Sequence, residues 1–409
     1  MKKVNLLLIA ILINTQLLAQ DDVESSNWNY FGEFKTYYTY VQKEKTKSTY
    51  RENMSYSSLQ MYFDYEKDGF YFSMTPYAYT YFTESGKDVK NANFSRGFQK
   101  QDIFFRTLYL SYSINNFTVG AGIIPLSNGF PMQYTSDYYQ DGEGLTILSD
   151  LDPLALFMQY KINDENRVIV GVGTLDSGIV PTGMYMSDDY KQNSYGAFLT
   201  QKITHKKFRV INDFKYVDVK YKGSDAGELY NLGSGVSWDD SEYSGITIYN
   251  VVGLSAYKNN STALKNEWLL NDGVSQSSYE KFSSSFAFDN KTYYGAANLF
   301  GARKDFDFFN FDNFINFEWF HTFNDWASAN NGTPYNSNCN HIYNIRNNSY
   351  FINYGIRISE ASTLKFNYTF LEFDETTNLG APSSTPVEDS YGPQRKNSQI
   401  IKLSYSYKF

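Results

Sequence analysis

The sequence predicts an all-β chain closed into a membrane-spanning, antiparallel up-and-down barrel with a water-filled lumen. Three observations point there. Apolar and polar residues alternate with period two in segment after segment, up to the last residue, and that period gives a strand one oily and one wet face. Aromatic residues make up 19% of the chain, with 38 Tyr and 33 Phe, although the mean hydropathy is only -0.48. That combination suits polar inward residues, apolar outward residues and two aromatic girdles. Finally, no stretch after the N-terminal leader approaches the ~18 uninterrupted apolar residues of a spanning helix, so a membrane crossing has to use strands.

The leader is read from Lys2 and Lys3, the apolar run Val4 to Ile13, and a small-residue cleavage site at Leu17-Leu18-Ala19. Residues 1–19 are therefore expected to be a secretory signal and residues 20–409 one barrel domain, because no Pro/Gly/Ser linker divides them. The formal charge is -8 and there is no basic tract, which argues against a nucleic-acid partner. The single Cys339 excludes an intrachain disulfide and a thiolate zinc cluster, and is expected as a free thiol in a loop.

Taken in order, the first alternating segment, Trp28 to Tyr40, places Trp28, Tyr30, Phe34, Tyr38 and Tyr40 on one face and Glu33 and Lys35 on the other. Polar residues 42–52 follow. Leu59, Met61, Phe63 and Tyr65 then oppose Ser58, Gln60 and Asp64. Asp68-Gly69 is a hairpin signal leading into Phe70 to Phe82, where Pro76 requires an edge or a bulge. The same rhythm gives Leu108, Leu110 and Tyr112, a turn at Asn115-Asn116, and Phe117, Val119, Ala121 and Ile123. Beyond a long connection come Leu156, Met158 and Tyr160, then Val168, Val170 and Val172. Late segments oppose Ile315, Phe317 and Trp319 to Asn316 and Glu318, and Leu364, Phe366 and Tyr368 to Lys365 and Asn367. A charge facing lipid at mid-depth costs about 2–4 kcal/mol, so these charges belong on a wet inner face.

Short turns alternating with long connections are the signature of an up-and-down barrel. Keeping the long segment 324–347 on the long-loop side requires a strand at Ala263 to Leu270. The expected count is then eighteen strands, with sixteen as the alternative; either leaves an aqueous channel.

In the last segment, Ser398 to Phe409, Ile401, Leu403, Tyr405, Tyr407 and Phe409 alternate with Lys402, Ser404, Ser406 and Lys408. It resembles the closing strand of Gram-negative outer-membrane barrels, and the whole pattern resembles the porins. The resemblance implies that Tyr405, Tyr407 and Phe409 form the signal read by the barrel-assembly machinery. It also implies a homotrimer embedded in outer-membrane lipid and lipopolysaccharide, and a third external loop folded into the barrel. That loop is Pro125 to Pro153, whose Asp137, Asp141, Glu143, Asp150 and Asp152 would bring carboxylates to the constriction. Gly120, Gly122, Gly171 and Gly173, on the inferred inward face, would leave room for it. Across the lumen, Lys35, Arg357, Lys365, Lys402 and Lys408 are the expected pore wall. The implied function is passive diffusion of small hydrophilic solutes and ions. The alternatives are a substrate-specific channel and a non-conducting structural or adhesin barrel. No catalysis and no cofactor are expected: His205, His321 and His341 are scattered, and the G-x-S-x-G, H-E-x-x-H and P-loop patterns are absent.

Overall fold

The computed structural model describes residues 27–45, 49–82, 103–124, 153–174, 195–221, 224–260, 292–324, 326–329, 342–377 and 395–409. All regular structure in them is strand. In chain order these are β1 (Trp28–Lys45), β2 (Thr49–Lys67), β3 (Phe70–Phe82), β4 (Ile103–Ile114), β5 (Phe117–Ile123), β6 (Leu154–Asn163), β7 (Asn166–Thr174) and β8 (Tyr195–His205). There follow β9 (Phe208–Tyr221), β10 (Ser224–Asp240), β11 (Ile246–Asn259), β12 (Thr292–Phe308), β13 (Phe311–Asn324), the short β14 (Ala327–Ala329), β15 (Ile342–Arg357), β16 (Ser362–Thr377) and β17 (Arg395–Lys408).

Each strand pairs antiparallel with its sequence neighbours, and β1 pairs with both β2 and β17, which closes the sheet. Since β13 already pairs with β15 and β14 only extends that ladder, the barrel has sixteen strands. The expectation of eighteen is corrected by one pairing: β11 runs directly against β12, from Ile246↔Lys304 to Lys258↔Thr292. No strand can lie between them, and residues 263–270 fall outside the described residues. Balance is restored elsewhere, by a two-residue turn at Phe309 and Asn310, both at positive φ (51° and 62°). The alternation reads straight through that turn, because Phe309 looks like one more strand residue.

The turns at 68–69, 115–116, 164–165, 206–207 and 309–310 lie at one end of the barrel, the turn end, together with both termini of the sheet. Asp68-Gly69 and Asn115 take the left-handed conformation that a right-twisted hairpin requires. Pro76 sits at a register shift in the β3–β4 ladder, where its missing N–H leaves no gap. The polar residues 42–52 lie largely within β1 and β2, so this hairpin extends beyond the apolar band before it turns.

Two faces separate cleanly. One exposes Leu156 (64%), Leu254 (59%) and Val172 (58%); the alternate residues are buried, charged ones such as Glu318 (2%) and Lys402 (3%) included. The convex exposed face is outward, and its apolar belt is the surface that lipid would cover. At the turn end it carries a girdle of rings: Trp28 against Tyr65 at 4.9 Å, Tyr65 against Phe70 at 6.1 Å, and Phe117 against Tyr160 at 4.6 Å. A second girdle near the loop end includes Tyr216 against Tyr230 at 5.0 Å.

Inward glycines have a structural role different from the expected one. A Cβ on Gly120 would overlap the ring of Phe157, its direct cross-strand partner, and one on Gly171 would overlap Phe198. The same arrangement recurs at Gly301 beneath Tyr249 and Gly355 beneath Phe314. The space above these glycines holds rings of the wall itself. It is not a vacant seat for the third loop.

Candidate functional site in the barrel lumen

The wall between β12 and β1 carries a dense set of charged and carboxamide side chains. Within one register row, Arg303 pairs with Asn316, Asn316 with Asn353, Asn353 with Asn367, and Asn367 with Lys402. Three carboxamides thus lie between two cations. Arg303 binds Asp305 through Nη2 (2.9 Å) and Nε (3.1 Å), and its guanidinium lies 4.0 Å over the Phe314 ring. Arg357 approaches the same Asp305 at 3.5 Å. Lys365 Nζ stands 6.0 Å from the Phe314 centroid, and Lys402 Nζ 4.2 Å from that of Tyr37. Lys35 bonds Glu33 at 3.0 Å, and Glu33 is also the register partner of Lys408. One turn along, Tyr249 donates a hydrogen bond to Glu318, which also accepts from Asn316 at 3.3 Å.

All five expected wall residues therefore stand on the inward face of β1, β15, β16 and β17. They are brought together because β1 pairs with β17. Lys35 and Arg357 are tied to carboxylates. The loop residues Asp137, Asp141, Glu143, Asp150 and Asp152, and Cys339, lie outside the described residues. Tyr405 and Tyr407 point outward on β17, and Phe409 packs against Gly32 on the same face.

The sequence reading missed a second basic stretch. Lys161, Arg167 and Lys202 are consecutive register partners on β6, β7 and β8, inward and near the turn end. Like charges directly opposite one another oppose sheet pairing, so this row is not explained by strand stability. Their parity with Gly171 and Gly173 would have exposed them. At that end Lys207, in the β8–β9 turn, is held above the usual lysine range by its hydrogen bond to Asp240. On the wall of β2 to β4, between the two basic stretches, Tyr71 donates to Asp64 at 3.0 Å and stands 5.7 Å from Tyr109.

Among the described residues, β14 folds over part of the inner wall near the loop end. It pairs with β15 in line with β13, yet its Cα atoms come within 8 Å of β11 and β10, two and three strands from β13 in the sheet. Outward residues there, Tyr230 and Leu254 among them, stay exposed, so β14 passes over the inner face. That face is built of small residues: Gly233, Gly253 and Ala297 share one register row, and Asn231, Ser255 and Gly295 the next. Trp326, just before β14, is 1% exposed. Among the described residues no group of three metal-ligating side chains occurs.

No family model matches the chain, and no curated protein is similar to it. Among solved structures it is similar to OmpF of Salmonella typhi, with a TM-score of 0.55 at 9% identity over 93% of this chain and 97% of that one. It is similar to OprB of Pseudomonas putida, with a TM-score of 0.55 at 8% identity over 97% and 96%. It is also similar to the anion-selective porin from Comamonas acidovorans, at 0.52 and 10% identity over 93% and 99%. At such identities the likeness is one of fold, and the chain has the fold of the outer-membrane porins, a closed antiparallel barrel of sixteen strands.

Proposed function

We propose that the chain is an outer-membrane porin, exported by a signal at residues 1–19, through which small hydrophilic solutes and ions diffuse down their gradients. The observation that carries this reading is the contrast between the two faces: Leu, Val and Phe outward, and Lys, Arg, Asp and Glu inward on the same strands. Charged groups are retained on a barrel's inner face where water reaches them. The turn end then faces the periplasm and the loop end the exterior.

In this reading Lys35, Arg357, Lys365, Lys402 and Lys408 form a basic wall. The carboxylates of Asp137, Asp141, Glu143, Asp150 and Asp152 face it from the third external loop. Opposed charge rings set up a transverse field that orients dipolar solutes and tunes ion selectivity. Side-by-side homotrimers in lipid and lipopolysaccharide, built with the barrel-assembly machinery acting on the final strand, complete the proposal. A second reading, a channel with a binding track for one solute class, is favoured by the Asp64, Tyr71 and Tyr109 cluster.

Swelling of proteoliposomes in neutral sugars tests both. Diffusion predicts rates that fall steadily with sugar size and do not saturate. Saturation by one sugar favours the binding track, and rates equal to those of empty liposomes overturn both.

A further inference from the structure

The basic row on β6 to β8 stands where strand pairing argues against it. Lys161 is opposite Arg167, and Arg167 is opposite Lys202, so three cations occupy one register row on three adjacent strands. Adjacent strands lie about 4.8 Å apart, and like charges set directly across a ladder weaken it. All three residues share inward parity with Phe157, Gly171 and Phe198. They therefore line the lumen near the turn end, out of reach of headgroup phosphates in a surrounding membrane.

Nearby carboxylates do not account for the row. Asp213, diagonal to Lys202 on β9, accepts from Thr200 at 2.7 Å and meets Lys215 at 3.9 Å. Glu165 holds His205 Nδ1 at 2.9 Å. Asp164 binds Lys161 at 2.6 Å, but its side chain is 94% exposed in the turn, and such a pair is worth little. Arg167, the middle cation, is exposed and has no ion pair among the described residues. In the next row toward the middle of the barrel, Gln159 pairs with Thr118, whose hydroxyl shares a hydrogen bond with Ser113 at 2.8 Å. Neutral polar groups thus adjoin the cations. Across the lumen, β16 is eight places from β7 whichever way the sixteen strands are counted, so Lys365, near the turn end of β16, faces the row. The inward carboxylates at this end, Asp305, Asp307 and Asp312, lie five or six places from β7, on β12 and β13.

We infer that Lys161, Arg167 and Lys202 form a binding site for a phosphoryl group, free or carried by a small solute, at the turn-end mouth of the lumen. The planar fork of Arg167 matches two oxygens of such a group, and a lysine on either side supplies a point charge. The charge balance fits a dianion: three cations less the Asp164 carboxylate leave two positive charges. A phosphate monoester carries about -1.5 to -2 at pH 7, whereas a monocarboxylate would leave one cation uncompensated. The inference rests on the wet inner face of the proposed function and names a solute class for it.

The test is isothermal titration calorimetry of the folded, full-length protein in a neutral, phosphate-free detergent, with inorganic phosphate as the probe. The wild-type chain is expected to bind phosphate saturably. Arg167→Gln is expected to weaken binding about tenfold or more, the scale of a lost charge-assisted hydrogen bond. Asp164→Asn, in an exposed turn, removes the competing partner of Lys161 and is expected to tighten binding; it stands in if the Arg167 variant misfolds. Competition by glycerol phosphate extends the site to esters, and its absence restricts the site to the free ion. A wild type without saturable binding overturns the inference, and so does an affinity that either variant leaves where it was. Bilayer conductance of the same preparations reports separately on the pore: binding without current fails only the pore, and current without binding fails only the site.

Discussion

Phe409 closes the barrel on Gly32. The two residues exchange both backbone hydrogen bonds, Gly32 N–H to Phe409 O at 2.8 Å and Phe409 N–H to Gly32 O at 3.0 Å. The Phe409 ring then lies where a Cβ of residue 32 would be, beside Met61. The last residue of the chain is thus the seam between the final strand and the first, and a glycine is required opposite it. Gly32→Leu should force the ring off the seam and lower unfolding stability in detergent by about 1–3 kcal/mol, the usual scale of overpacking. Urea titration followed by heat-modifiable mobility measures it. An unchanged midpoint would mean that the seam holds without the ring.

A second contact sits inside the wall. Tyr249 lies fully buried over Gly301 and donates its hydroxyl proton to Glu318. Tyr249→Phe keeps the ring over the glycine but removes the only donor it offers, which leaves a buried carboxylate short of a partner. A loss of about 1–3 kcal/mol is expected. Combining it with Glu318→Gln should cost less than the two single changes added together, because both remove the same contact. Strict additivity in that double-mutant cycle would show that the two groups do not couple.

The basic wall makes an electrical prediction. Replacing Lys365 and Lys402 with Glu reverses two inward charges beside Phe314 and Tyr37. The reversal potential in a salt gradient should move toward cations. D137N, D141N and E143Q together should move it the other way. Identical reversal potentials in all three proteins would separate the wall and the loop from the ion path.

Trp326 leads into the strand that leans across β10 and β11. If this segment narrows the lumen, Trp326→Ala should raise single-channel conductance while leaving the folded yield of barrels intact. A conductance equal to that of the wild type would place the narrowest point elsewhere.

Much of this was legible in the sequence, and the parts that were not have physical reasons. Alternation fixes which side chains share a face, so the outward Leu108 and Leu110 and the inward Lys365 and Lys402 could be assigned from parity alone. Closure of β1 on β17 follows from the aromatic ending. The strand count did not follow, because in the Phe309-Asn310 turn Phe309 carries no turn signal and both residues continue the alternation of the flanking strands. Inward glycines were legible as glycines, but not their partners: the ring over Gly120 comes from Phe157 on the next strand, a register relation the chain does not display.

The contrast between a lipid-facing exterior and a wet interior is tested most directly by current through a planar bilayer holding the purified, folded protein. Stepwise, ohmic increases in conductance are the expected result, one step for each inserted unit. A folded barrel that inserts and passes no ions would contradict the pore.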